Sequence, residues 1–233
     1  MIKVIFLYDY TGIMAKPWLD AGYECWCFDG QHEPGIIRDG NHVKVGMWFD
    51  AYNTRQHVIE IVETVGDGVK FVFGFPECTD MAVSGSAHFV KKLKVNPACQ
   101  AEAVELARLV KYVGDHYSCA WGLENPVSVM SSIWRKPDFY FNPYDYGGYL
   151  PFDDEHPQYP QYIKPRDAYP KKTAIWCGNG FVTPERLPVT VDAGYSDQHN
   201  KLGGKSLKTK NIRSATPRGF AIATFIYNCE ATL

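Results

Sequence analysis

Two groups capable of chemistry stand at the ends of apolar runs. Val69-Lys70-Phe71-Val72-Phe73 leads into Phe75-Pro76-Glu77-Cys78-Thr79-Asp80, and Cys119-Ala120-Trp121-Gly122-Leu123 leads into Glu124-Asn125-Pro126. Both runs have the length and composition of buried strands, and open α/β sheets bind ligands outside the carboxyl ends of their strands. A thiol and a carboxyl delivered there by different strands can face one substrate. A cysteine nucleophile must be held still and shed its proton easily; Pro76 restrains the backbone and turn amides facing the sulfur help with both. Taken alone, Cys78 reads as a buried, inert cysteine, the usual fate of this residue type. Glu124 shifts that reading, because a carboxyl ending an apolar strand is costly unless paired or used. Burial there would raise its pKa towards proton donation at neutral pH.

The elements that must position these groups follow an alternating strand and helix pattern in the first half, which builds a mostly parallel sheet covered on both faces. Strands are expected near 3–8, 24–28, 43–47, 69–74 and 119–123. Asn53 with Gln56 resembles a capping box opening a helix to about Thr64. Asn96-Pro97 reads as an N-cap and first helical residue before an apolar stripe from Cys99 to Tyr117. Residues 134–170 are crowded with Pro, Tyr, Phe and Asp, so an ordered, loop-rich excursion packed by its own rings is expected there, with a nucleobase-stacking surface as the alternative. Thr173-Ala174-Ile175-Trp176 is a further short strand. Thr216 and Pro217 would open a last helix through about Tyr227.

At 233 residues the chain supports one substantial domain, 1–233. The apolar start Val4-Ile5-Phe6-Leu7-Tyr8 is too short for a signal peptide, and a soluble cytoplasmic protein is expected, in the host cytoplasm if phage-encoded. The seven cysteines lack metal-type spacing. Cys25-Trp26-Cys27 is expected to point its two thiols to opposite faces of a strand, which argues against a disulfide or zinc pair. No metal is expected. The formal net charge of −2 conceals an acid-free basic stretch holding Lys201, Lys205, Lys208, Lys210, Arg213 and Arg218. Such a stretch can follow a phosphate backbone; a solvated loop is the alternative.

A nucleotide-type cofactor needs a backbone turn after the first strand and an acid at the end of the second. Tyr10-Thr11-Gly12-Ile13 supplies one glycine and no G-x-G-x-x-G. Asp29 stands about twenty residues on, where an acid can hold ribose hydroxyls, or else it is a turn residue before Gly30. Asp50 could contact an adenine amino group or cap the next helix.

Phe75-Pro76-Glu77-Cys78 resembles the proline-cysteine motif of DNA cytosine C5-methyltransferases, and Glu124-Asn125-Pro126 resembles their glutamate-asparagine motif. The likeness is closest to short phage-type members. In those, Cys-Thr-Asp, Ala82-Val83-Ser84-Gly85, Glu-Asn-Pro, Trp134-Arg135-Lys136-Pro137 and Thr209-Lys210-Asn211-Ile212-Arg213-Ser214-Ala215-Thr216-Pro217-Arg218-Gly219-Phe220 occur in this order. The resemblance spans Phe6 to Phe225. It implies a Rossmann-like, S-adenosylmethionine-dependent methyltransferase fold and a DNA partner. Cys78 would attack C6 of an extrahelical cytosine while Glu124 holds or protonates N3, and C5 would take the methyl group. Asp29 would match the ribose-binding acid and Asp50 the adenine-side acid. Tyr10, Thr11, Gly12 and Pro76 would complete the cofactor side. Ser84, Lys205, Lys208, Lys210, Arg213 and Arg218 would contact nucleic acid.

The chain also departs from the family pattern. Phe6 stands where the first motif usually begins with aspartate, and Glu77 replaces the usual proline before the nucleophile, adding negative charge beside the thiol. The base-contacting arginine strand is represented only by Lys171-Lys172-Thr173, from which Lys172 and Thr173 are assigned to catalysis. No long target-recognition domain is present; residues 178–218 form a reduced target-recognition and basic segment. Two alternatives remain: a related pyrimidine-C5 enzyme acting on free nucleotide or RNA, and a catalytically silent DNA-binding protein of the same fold. Protection from a restriction nuclease is one role for the mark.

Overall fold

A computed structural model of the chain describes residues 1–191, 197–203 and 206–229. Its centre is a seven-stranded sheet of β1 (Lys3–Leu7), β2 (Glu24–Asp39), β3 (His42–Gly46), β4 (Val69–Gly74), β5 (Ala120–Pro126), β6 (Phe139–Phe141) and β7 (Thr173–Gly178), in the order β3-β2-β1-β4-β5-β7-β6. β1 runs parallel to β2 and β4, and β4 parallel to β5, while β7 is antiparallel to both β5 and β6. The strand order reverses between β1 and β4. A crevice is therefore expected above their carboxyl ends.

The strands read as near-continuous apolar runs because both faces are covered. Ile5, Leu7, Trp26, Phe28 and Val72 face one layer with Ile61 of α2 (Thr54–Val65) and Val110 and Val113 of α4 (Cys99–His116). Val4, Phe6, Phe71 and Phe73 face the other, with Trp18 of α1 (Lys16–Asp20) and Phe220 of α8 (Arg218–Asn228). Cys25 and Cys27 both lie in this second layer, so the expectation that they point apart is wrong. A strand repeats every two residues, and positions i and i+2 share a face. Burial pushes both thiols above their ordinary pKa, and both are free.

The expected strands and long helices are present, and the differences lie at their ends. β2 continues ten residues beyond Asp29, to Asp39. Cys25 to Asp29 pair with β3 in ascending register, whereas Ile36, Ile37, Arg38 and Asp39 meet Val45, Lys44, Val43 and His42 in descending order. The far part of β2 thus folds back on β3 as an antiparallel hairpin. Short helices α3 (Phe89–Val95), α5 (Met130–Ile133), α6 (Asp197–Lys201) and α7 (Leu207–Ser214) lay outside the sequence expectation.

Three caps also differ. Asn53 makes no side-chain cap; Asp50 instead accepts hydrogen bonds from the amides of Tyr52 and Asn53, at 3.0 and 3.1 Å. Asn96 holds the amide of Ala98, one residue before α4 begins. Thr216 does not cap α8. The buried carboxylate of Asp167 does, accepting from the Gly219 amide at 2.9 Å across 52 residues of chain.

The excursion closes onto the domain through its rings: Phe141 stacks on Phe220 at 4.2 Å between centroids, and Tyr146 packs against both. Arg218 fastens it further, donating to both oxygens of Asp154 at 2.7 and 2.6 Å. No helix among the described residues is long and apolar enough to cross a membrane.

Candidate functional site

Cys78 lies in the turn that follows β4, half-buried, with its carbonyl accepting from the amides of Met81 and Ala82. Glu124 sits within β5, opposite Ile175 of β7, and is only 9% exposed. Their loops are stitched together. Asn125 donates from Nδ2 to the Pro76 carbonyl at 3.1 Å, Val83 donates to Val127 and Val129 to Met81, and Ala82 and Ser128 form an isolated antiparallel bridge. The loops bearing the thiol and the carboxyl are therefore tied directly to each other.

Electrostatics couple the pair. Burial raises the Glu124 pKa and Lys171 opposes the rise. Burial also raises the Cys78 thiol, the charges of Glu124 and then Glu77 add to that, and Lys171 pulls against them. At neutral pH this arrangement favours a thiol and eases proton donation by Glu124. Lys171 is the cation of the site, and its ammonium is also held by the Arg213 carbonyl of α7 at 2.9 Å.

The two residues assigned to catalysis from this strand behave differently. Lys172 is exposed and lies 4.8 Å above the Tyr140 ring centroid, a cation–π contact away from the acid. Thr173 is 1% exposed, its hydroxyl spent on the Lys171 carbonyl at 2.9 Å. The charge that acts on Cys78 and Glu124 is that of Lys171, one position before the assigned Lys172. Neighbouring side chains on an extended segment diverge, so a one-residue choice decides which charge enters the crevice.

The β1–β2 side is built around two buried acids. Asp9, at the end of β1, accepts from the Gly12 amide at 2.8 Å and the Thr11 hydroxyl at 3.2 Å, and its Oδ2 is buried without a partner. Burial raises its pKa to about 6. Gly12 has a φ of 66°, a left-handed conformation that glycine adopts without strain and that lets the chain turn back onto this carboxylate. Asp29 is 9% exposed and accepts from the Gln31 amide at 2.7 Å, with its pKa raised by burial.

Beside these acids is an open cavity of about 580 Å³ lined by Tyr10, Thr11, Gln31, His32, Lys44 and Tyr159 among others. The excursion supplies Tyr159, so one wall comes from far along the chain. Asp9 was missed as a site residue; its signal was a charged residue directly after an apolar strand. Asp50 is exposed in the turn before α2, with its pKa lowered chiefly by the Asn53 side-chain hydrogen bond. A second hollow of about 360 Å³, lined by Tyr52, Glu102, Arg108 and Trp134 among others, is bordered by neither Cys78 nor Glu124.

Of the residues assigned to nucleic acid, Ser84, Lys208, Lys210 and Arg213 are exposed. Lys210 comes within 3.9 Å of Glu77, which brings α7 beside the thiol turn. Arg218 is bound into its ion pair with Asp154, the two side chains 15% and 6% exposed, and has no free fork for a phosphate. Lys205 lies outside the described residues. Among the described residues no group of three or more His, Cys, Asp or Glu could hold a metal ion. Comparison with protein-family models and with curated proteins gave no match to this chain.

Proposed function

We propose that this chain is a short, phage-type DNA cytosine C5-methyltransferase. The observation that supports it most is the coupling of Cys78, Glu124 and Lys171 on loops tied together at the carboxyl ends of β4 and β5. In this reading Cys78 gives up its proton to solvent and the thiolate adds to C6 of a cytosine turned out of its helix, because a stacked base cannot admit a nucleophile to its face. Glu124 shares or gives a proton at N3, so the electron pair released by the addition collects at C5. Lys171 favours the thiolate before attack and the Glu124 carboxylate after proton transfer. Once C5 carries its new substituent, a base takes the C5 proton, the C5–C6 double bond reforms, the C6–S bond breaks and Glu124 recovers its proton. S-adenosylmethionine, when bound, supplies the electrophilic methyl group.

The residues of the β1–β2 side fit such a cofactor. Asp29 would accept from ribose hydroxyls, Asp9 offers an unpartnered buried acceptor, and Tyr10 and Thr11 line the adjoining cavity. Asp50 would face the adenine side of such a cofactor while holding the amides of Tyr52 and Asn53.

The test is incubation with tritiated S-adenosylmethionine and duplex DNA, followed by nucleoside analysis. Label is expected in 5-methylcytosine, and label in N4-methylcytosine or N6-methyladenine would overturn the mechanism. One observation favours a second reading, a silent DNA-binding protein: burial, Glu124 and Glu77 all push the Cys78 thiol away from its reactive form. DNA binding with neither cofactor binding nor a covalent complex on 5-fluorocytosine DNA would select it.

A further inference from the structure

We infer that the Tyr169 hydroxyl and the Gln198 amide are hydrogen-bond donors to the substrate pyrimidine, at the C2 carbonyl oxygen beside the N3 that Glu124 holds. The inference rests on the cytosine reading above and adds two residues that no motif of the sequence marks.

Tyr169 stands two residues before Lys171, in the segment that leads from the excursion into β7. Pro170 favours extended backbone at the residue before it, and residues two apart on extended chain share a side. Burial follows that alternation: Tyr169 and Thr173 are 2% and 1% exposed, whereas Lys172 is exposed. Tyr169 thus points the same way as Lys171, the cation that acts on Glu124. Its side chain is clamped, packing with Ile163 and Ala215 and against Ile13 of the turn after β1, while its amide donates to the Asp167 carbonyl at 2.7 Å. The hydroxyl is left over, buried without a hydrogen-bond partner. Gln198 of α6 faces it, is 5% exposed, and has an Nε2 that is also buried without a partner. Burial raises the phenol pKa, Asp167 and Glu124 add to the rise, and Gln198 and Arg218 oppose it. The hydroxyl therefore keeps its proton to donate.

A buried donor without an acceptor costs stability, so a native protein that keeps one has a use for it. Here two converge within the field of Glu124, from segments far apart in the chain. The reaction names the acceptor they fit. Addition of the thiolate to C6 pushes an electron pair to C5 and through C4 onto N3, and the C2 carbonyl oxygen next to N3 shares that density. Donors already aimed at this oxygen strengthen as the density grows and need no reorganisation.

The experiment is single-turnover methylation of duplex DNA by the full chain with tritiated S-adenosylmethionine, on cytosine and on 2-thiocytosine, whose sulfur is a poor acceptor in place of O2. Tyr169→Phe keeps the ring and should slow transfer to cytosine about 10²-fold, the scale for one lost donor at a charged oxygen. Gln198→Leu should slow it about tenfold, as for one neutral hydrogen bond. On 2-thiocytosine the parent should be slow already, and both variants should match it. A variant that loses the same factor on both substrates acts through the fold, and one as fast as the parent on cytosine makes no contact of consequence. Either result overturns this inference and leaves methyl transfer standing. Absence of label in both substrates with the unsubstituted chain overturns both readings. Because the Tyr169 hydroxyl has no partner in the fold, thermal melting of Tyr169→Phe should equal or exceed that of the parent; a lower melting temperature would assign the hydroxyl to the fold and overturn the inference.

Discussion

The two ends of the crevice treat buried charge in opposite ways. At the β1–β2 end, Asp9 and Asp29 are held by amides two or three residues further along the same turn, Gly12 for one and Gln31 for the other. At the β4–β5 end, no side-chain hydrogen bond reaches the Glu124 carboxyl among the described residues; its relief comes from Lys171, and Lys171 in turn is held by α7. One end is self-contained and suited to fixed acceptance of hydroxyls. The other responds to whatever moves β7 or α7, as a site that must change protonation during a reaction would require.

That contrast can be broken at several points. The largest effect is expected from Cys78→Ser, which should lower covalent trapping on 5-fluorocytosine DNA on the order of 10⁶-fold, as loss of a nucleophile does elsewhere. Equal trapping by the variant would move the chemistry to another residue. Glu124→Gln should reduce kcat by about 10²- to 10⁴-fold with little change in KM, the range for losing a positioned proton donor. A change confined to KM would make Glu124 a binding group.

Asp9→Asn probes the self-contained end through stability. The folded pKa of Asp9, about 6, lies above its ordinary 3.8, so the native state holds the proton more tightly than the unfolded chain. Its contribution is favourable below the unfolded value and is lost as pH rises through the folded one. Denaturation series at successive pH values should therefore show the Asn variant gaining about 2 kcal/mol on the parent between pH 4 and pH 7. A flat difference would show that Asp9 is not protonated in that window.

The smallest effects concern the thiol's own reactivity. Alkylation of Cys78 by iodoacetamide should be slow at pH 7 and climb through pH 9, because burial and the two glutamates hold the thiol above its usual range. Lys171→Gln should slow it severalfold, Glu77→Gln should speed it, and Lys172→Gln should leave it unchanged. Equal effects from Lys171 and Lys172 would erase the distinction drawn between them.

The parallel sheet was legible because its strands are covered on both faces and leave uninterrupted apolar runs. Cys78 and Glu124 were legible for the same reason, as polar residues that end such runs. Lys171 was not separable from Lys172, since adjacent charged residues at a strand start give no periodic signal. The last cap failed similarly: Thr216 carries a suitable side chain, yet Asp167, far along the chain, makes the hydrogen bond. Arg218 looked like part of a basic stretch until Asp154, 64 residues away, was brought to it.

What the sequence determined by itself was the set of elements and which residues terminate them, since periodicity and turn chemistry act over a few residues. Tertiary structure alone decided which charges meet. Coulomb interactions depend on distance through the fold rather than along the chain, and no local pattern records that the charge of Lys171 acts on Glu124 or that Arg218 is consumed by the excursion.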